Sequence, residues 1–197
     1  MRPPLQTALG RRSFTLAYSA LSLVALAWLI IAAGRAPFVP LWDWAPWQVH
    51  VPLIAMLPVC LILALAIARP NPFSFGGARN DLFDPARRGI VLLLRHPMLL
   101  ALVLWATAHA VPNSDLAHLI LFCTFAVFAT VGTRLVDRRQ QREMGDTWQN
   151  LRSEVARTPL WPTPLTGDNA LRLVAGLVLY ATLIWLHPAV IGVSPLS

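Results

Sequence analysis

The feature that most constrains this chain is a succession of apolar runs, each about as long as a bilayer demands. About 20 apolar residues at a helical rise of roughly 1.5 Å cover a hydrocarbon core of about 30 Å. The sequence supplies such runs at 14–33, 50–68, 116–136 and 170–191. A further run, 90–111, is interrupted at 95–97 by Arg95, His96 and Pro97 and reads as one broken or re-entrant span. Inside lipid the backbone N–H and C=O groups have no water to bond, so each span is expected to be helical. The expected fold class is all-α: a polytopic integral membrane helical bundle of five transmembrane helices, forming a single membrane domain over residues 1–197.

Composition agrees with that reading. Hydrophobic residues make up 56% of the chain and charged residues only 13%, against about a quarter charged in soluble domains. A soluble enzyme, a disordered tail and a disulfide-stapled scaffold are therefore excluded. Every one of the 16 basic residues is arginine, and with nine acids they give a net charge of +7. These arginines lie between apolar runs rather than along one basic face, so the expected partner is the lipid bilayer and no nucleic acid is expected. From the N-terminal stretch through the successive connections to the tail they number 3, 1, 5, 0, 7 and 0. Arginine excess marks the cytoplasmic side, so the N-terminus is expected in the cytoplasm and the C-terminus outside. The first run has about 20 apolar residues, beyond the roughly 7–15 of a cleaved signal, and is expected to remain as a span. Cys60 and Cys123 both sit in apolar runs and are expected to be buried, reduced thiols. The polar segments 69–88 and 135–167 are expected to fold against the cytoplasmic membrane face.

Ionisable side chains at membrane depth are costly and so carry the most functional information. On the expected topology His50, His109, His118 and His187 all fall toward the outer side, and His96 alone toward the cytoplasmic side. A regular helix would separate His96 from His109 by about 20 Å. Imidazoles among Trp42, Trp44, Trp47, Trp105 and Trp185 are suited to axial ligation of a haem between helices. The same residue types are also at home at a membrane interface. The Arg95-His96-Pro97 break leaves two cationic side chains at the cytoplasmic boundary, suited either to an anionic or nucleotide-like group or to ending a re-entrant segment. Beyond the fourth run, Arg139 and Glu143 stand four apart, as on a solvated helical extension. The chain has no glycine-rich phosphate loop, no nucleophilic serine in an elbow and no paired carboxylates inside a span, which disfavours a proton-coupled transporter.

The stretch from Arg95 to Asp115, RHPMLLALVLWATAHAVPNSD, resembles the NnrU family of bacterial membrane proteins, as do Leu121 to Arg139, Leu41 to Pro58 and NPFSFGG at Asn71 to Gly77. The resemblance covers most of the chain. It implies a multi-pass protein of the bacterial inner membrane, associated with nitrite and nitric oxide respiration and with respiratory or denitrification membrane proteins as partners. That family is similar to 15-cis-zeta-carotene isomerase, which holds haem b through histidines. The resemblance implies haem b as cofactor, with His109 of the WxxAH element as its iron ligand and His50 and His96 matching further histidines. Relatives usually begin with another helix that bears a histidine, and this chain is expected to start after it. Where relatives place a cysteine near the AH histidine, this chain has Ala106. His118 or His187 would then supply a second ligand.

A more distant likeness is to isoprenylcysteine carboxyl methyltransferases, on Arg95-His96-Pro97 and the stretch 145–162. It implies S-adenosylmethionine as an alternative cofactor, bound near Arg95 and His96. The glutamate pair of those enzymes is replaced here by Asp137 and Arg138. A third reading is a non-enzymatic assembly subunit of a respiratory complex.

Overall fold

A computed structural model describes residues 10–86, 89–157 and 167–196. Arg2, Arg87, Arg88 and the 158–162 end of the methyltransferase-like stretch lie outside these residues. The described residues form six α-helices: α1 (Arg11–Arg35), α2 (His50–Ala66), α3 (Pro97–Ala110), α4 (Leu116–Met144), α5 (Asp146–Arg157) and α6 (Gly167–Ile191). The described residues contain no strand, only an isolated bridge between Pro40 and Asp115.

Among the described residues four segments are long and apolar enough to cross a membrane: Arg12–Arg35, Pro46–Ala66, Leu116–Met144 and Gly167–Ile191. The fifth apolar helix, α3, has 14 residues, about 21 Å of rise and short of a full hydrocarbon core. It begins at Pro97, whose ring fits the first helical position where no N–H is needed. The residues ahead of it form only a 3-10 turn, Gly89–Leu92, because His96 precedes a proline and takes φ −119°, ψ 65° instead of helical angles. α4 starts at Asp115, whose Oδ1 accepts from the Ala117 and His118 backbone N–H groups at 3.2 Å, a cap that contributes about 1 kcal/mol. It runs past its apolar stretch to Met144, with Arg139 Nε donating to Glu143 Oε1 at 2.7 Å on the charged extension.

The helices pack in the spatial order α6, α2, α3, α4, and α1 lies lightly against α4. Small residues set the close approaches. A Cβ at Gly176 of α6 would stand 3.1 Å from Leu61 Cα and 3.2 Å from the Cys60 carbonyl oxygen of α2. Hydrocarbon offers helices no solvent-driven reason to associate, so association rests on contact of this kind and on interhelical hydrogen bonds. Tyr180 supplies one, donating to the Leu53 carbonyl at 2.9 Å. Large apolar side chains such as Leu21, Trp28, Ile54, Phe128 and Trp185 face outward, and no residue of the apolar window of α1 is buried. In water such a surface would be an aggregation hazard, whereas in a bilayer it is the solvated face.

Each end of the bundle is closed by its own clasp. At one end the connection after α1 pairs with the one before α4: Leu41 N–H donates to the Ser114 carbonyl at 2.8 Å and Leu116 N–H to that of Val39 at 3.0 Å. At the other, arginine-rich end, Arg172 Nη1 donates to the Ala64 and Ile67 carbonyls at 3.0 and 2.9 Å, capping the C-terminus of α2 from a neighbouring helix. Arg69 there pairs with Asp168. The two polar segments fold against each other. Phe73 and Phe83 from the first and Trp148, Leu151 and Val155 from the second form a cluster with Val91 and Met144.

Both cysteines are free, Cys60 buried and Cys123 exposed. The burial expected for Cys123 is therefore corrected. Leu121, Phe122 and Ala129 mark the buried face of α4, and Cys123 stands about 100° round the helix from Phe122.

Candidate functional site

The proline-imposed break before α3 frees the backbone of Arg95 and His96 from helical hydrogen bonding, and the structure gathers partners around both side chains. The His96 ring is buried, with 8% of the residue exposed. Its Nδ1 lies 3.1 Å from Ser74 Oγ and its Nε2 3.0 Å from Asp137 Oδ1. Arg95 Nη2 donates to the other carboxylate oxygen of Asp137 at 2.6 Å. Arg95 Nε also stands 3.2 Å from His96 Nε2, but one ring nitrogen cannot accept from arginine and donate to a carboxylate at once. The carboxylate is the stronger acceptor, so the proton belongs on Nε2. In the neutral ring Ser74 then donates to Nδ1.

The Arg95 carbonyl, cut off from helical bonding by the break, accepts from Asn71 Nδ2 at 3.1 Å. Asn71 Oδ1 in turn accepts from the Phe73 N–H at 3.0 Å. Three segments are thus joined: the 69–77 loop, the break, and the first charged turn of α4. Gly76 is required in that loop on two counts. Its φ of +84° disfavours any side chain, and a Cβ there would collide with Met98 Sδ of α3. Asp137 offsets the charge of Arg95 and fixes the orientation of His96, while Arg95 Nη1 makes no hydrogen bond among the described residues.

His109 lies at the opposite end of α3. Its Nδ1 is 2.8 Å from the Trp105 carbonyl oxygen. A carbonyl only accepts, so Nδ1 carries the proton, and in the neutral ring Nε2 keeps a bare lone pair. No described residue hydrogen-bonds that nitrogen. The ring stands against Trp105 and Phe122, with centroids 5.3 and 5.8 Å away. An ordered imidazole of fixed tautomer with an open Nε2 is the donor that a haem iron takes. Among the described residues no three His, Cys, Asp or Glu side chains gather as a multi-ligand zinc centre would need.

The other outward histidines do not join one cluster. His187 has its Nδ1 2.7 Å from the Val193 carbonyl oxygen. His118 Nδ1 is 2.7 Å from Asp115 Oδ2. His50 is exposed at the start of α2. Of the tryptophans, Trp42 Nε1 donates to the Val111 carbonyl at 3.2 Å, and Trp44, Trp47 and Trp185 are exposed. An open groove of about 320 Å³ at this end is lined by Trp42, Trp47, Gln48, Ala110 and Val111.

Sequence reasoning singled out Arg95 and His96 but missed what holds them. Asp137 was legible as the first acid after an apolar run, and Asn71 and Ser74 stand within the NPFSFGG stretch. Nothing local to either pointed at Arg95, which lies 42 and 24 residues away from Asp137 and Asn71 respectively.

No curated protein and no solved structure matches the chain. The family model described as NnrU protein does match it, over residues 1–195. That match takes in both ends of α3, the clasp around His96 and the aromatic setting of His109, and the chain belongs to the NnrU family.

Proposed function

We propose that this NnrU-family protein is a five-span protein of the bacterial inner membrane that binds haem b through His109 Nε2, near its outer face. The observation that carries this reading is the bond from His109 to the Trp105 carbonyl, which leaves the ligating nitrogen bare. The fifth span is α3, completed toward the cytoplasm by the clasp around His96. The arginine distribution supports a cytoplasmic N-terminus. A bound haem would supply reversible one-electron chemistry at the iron. On this reading it serves nitrite and nitric oxide respiration or the redox isomerisation of a lipophilic substrate. The second ligand would be His118 or His187, and His187 Nδ1 is held by a backbone carbonyl, that of Val193, as His109 Nδ1 is by Trp105.

The test is haem content by pyridine haemochrome after purification in mild detergent. His109→Ala should remove haem, and Cys123→Ala, at an exposed position on α4, should leave it unchanged. Equal haem in the wild type and in His109→Ala would overturn the assignment.

A second reading, an assembly subunit of a respiratory complex, is supported by α1, whose apolar window has no buried residue and so presents a whole helix to a partner. Co-purification of a second membrane protein that is lost with α1 would favour it. Methyl transfer from S-adenosylmethionine would draw on Arg95 and His96. Several of their polar atoms are engaged by Asp137, Ser74 and Asn71, which lends it less support.

A further inference from the structure

A cleft of about 220 Å³ opens beside Arg95 on the arginine-rich face. Its walls are of two kinds. Phe73, Val91, Leu92 and Leu93 give an apolar lining, and Arg95 and Arg152 bring two guanidinium groups to the same space. The two arginines differ in charge balance. Arg95 is offset by Asp137 but keeps Nη1 uncommitted among the described residues. Arg152 lies over the Trp148 ring at 5.2 Å and forms no ion pair among the described residues. That stacking holds the guanidinium in place while leaving its hydrogen-bond donors available.

Position and size narrow the ligand. Leu92 and Leu93 come just before Pro97, where α3 begins, so the cleft opens where the hydrocarbon gives way to headgroups. Leu93 is 71% exposed there, as suits a side chain lying against lipid. Pockets that enclose a whole drug-sized molecule run from about 300 Å³ upward. This cleft is smaller, and fits a ligand that inserts one polar group and leaves the rest in the bilayer.

We propose that the cleft binds an anionic phospholipid of the arginine-rich leaflet, with its phosphate between Arg95 and Arg152 and the start of its chains along Leu92 and Leu93. Phosphate matches the forked guanidinium donors, and basic pockets at this depth select anionic headgroups. The proposal does not depend on haem binding.

The test is a thermal-shift titration of the full-length protein in mild detergent. The probes are dihexanoyl phosphatidylglycerol, dihexanoyl phosphatidylcholine, inorganic phosphate and S-adenosylmethionine. Phosphatidylglycerol should raise Tm, and the other three should not. Arg152→Ala should weaken the apparent affinity for phosphatidylglycerol roughly tenfold, the loss of one charge-assisted contact. Arg142→Ala, an exposed arginine on α4 away from the cleft, should not change it. Arg152→Gln removes the guanidinium but keeps a polar side chain and should weaken the affinity to a similar extent, and the ligand-free Tm of the two variants separates lost binding from lost folding. Equal responses to both lipids, or equal behaviour of the Arg152 and Arg142 variants, would overturn the proposal. A shift from phosphate alone would make this a free-anion site, and an Arg152-dependent shift from S-adenosylmethionine a nucleotide site. Either result also overturns it.

Discussion

Asp137 is where the charge balance of the arginine-rich end is decided. Its two oxygens divide between Arg95 and His96, so removing its charge leaves an arginine and a buried imidazole without their common partner. Asp137→Asn should cost about 2 kcal/mol of stability, the range for losing charge-assisted hydrogen bonds in a partly exposed pair. Thermal or denaturant unfolding in detergent would measure it. Combined with His96→Gln the loss should be less than additive, because both changes break the same network. Trp148 makes a contrasting case. It is 1% exposed, and its Nε1 has no hydrogen-bond partner among the described residues. Trp148→Phe deletes that unpartnered donor and should change stability by less than about 1.5 kcal/mol, whereas Trp148→Ala should cost about 3–5 kcal/mol through the cavity left behind. At this scale the sequence was readable where a residue is unusual in itself. Arg95 and His96 stand out because a proline follows them inside an apolar run. The importance of Asp137 and Trp148 arises from contacts made across tens of residues, which a one-dimensional pattern does not carry.

At the scale of elements, apolar length was the dependable signal, because membrane helices must satisfy every backbone group internally. The all-helical architecture and the long apolar helices followed from it. So did the charged extension of α4, whose Arg139 and Glu143 pair as their spacing of four implied. Which face of each helix turns inward was not readable. In α1 and α4 the apolar character continues round the helix, so Cys123 gave no sign that it would face outward. Glycine carries that missing information only in part. Gly176 stands where α6 meets the α2 backbone, and a Cβ there would lie 3.1 Å from Leu61 Cα. Gly176→Val should force the two helices apart and cost about 1–3 kcal/mol. Gly167→Val, at a position with open space around the glycine, should cost less in the same unfolding measurement.

For the whole molecule, the two clasps divide the protein into an end holding His109 and an arginine-rich end built around Asp137, and on the proposed topology the first faces outward and the second the cytoplasm. Single cysteines introduced into a Cys60→Ala, Cys123→Ala background would test this division. Ser114→Cys should react with a membrane-impermeant thiol reagent in intact spheroplasts, and Ser153→Cys only after permeabilisation. The reverse pattern would invert the topology. Family membership was legible in the motifs, since they combine residue identity with spacing over most of the chain. Of the proposed haem site one histidine stood out in the sequence, whereas the contact that leaves its Nε2 lone pair open, the Trp105 carbonyl on Nδ1, was not readable there. The most direct measurement is the absorption spectrum of the full-length protein in mild detergent, oxidised and then dithionite-reduced. The account predicts a Soret band and sharpened α and β bands on reduction, at stoichiometric haem, all lost in His109→Ala. A colourless protein that stays colourless after haem supplementation would contradict it.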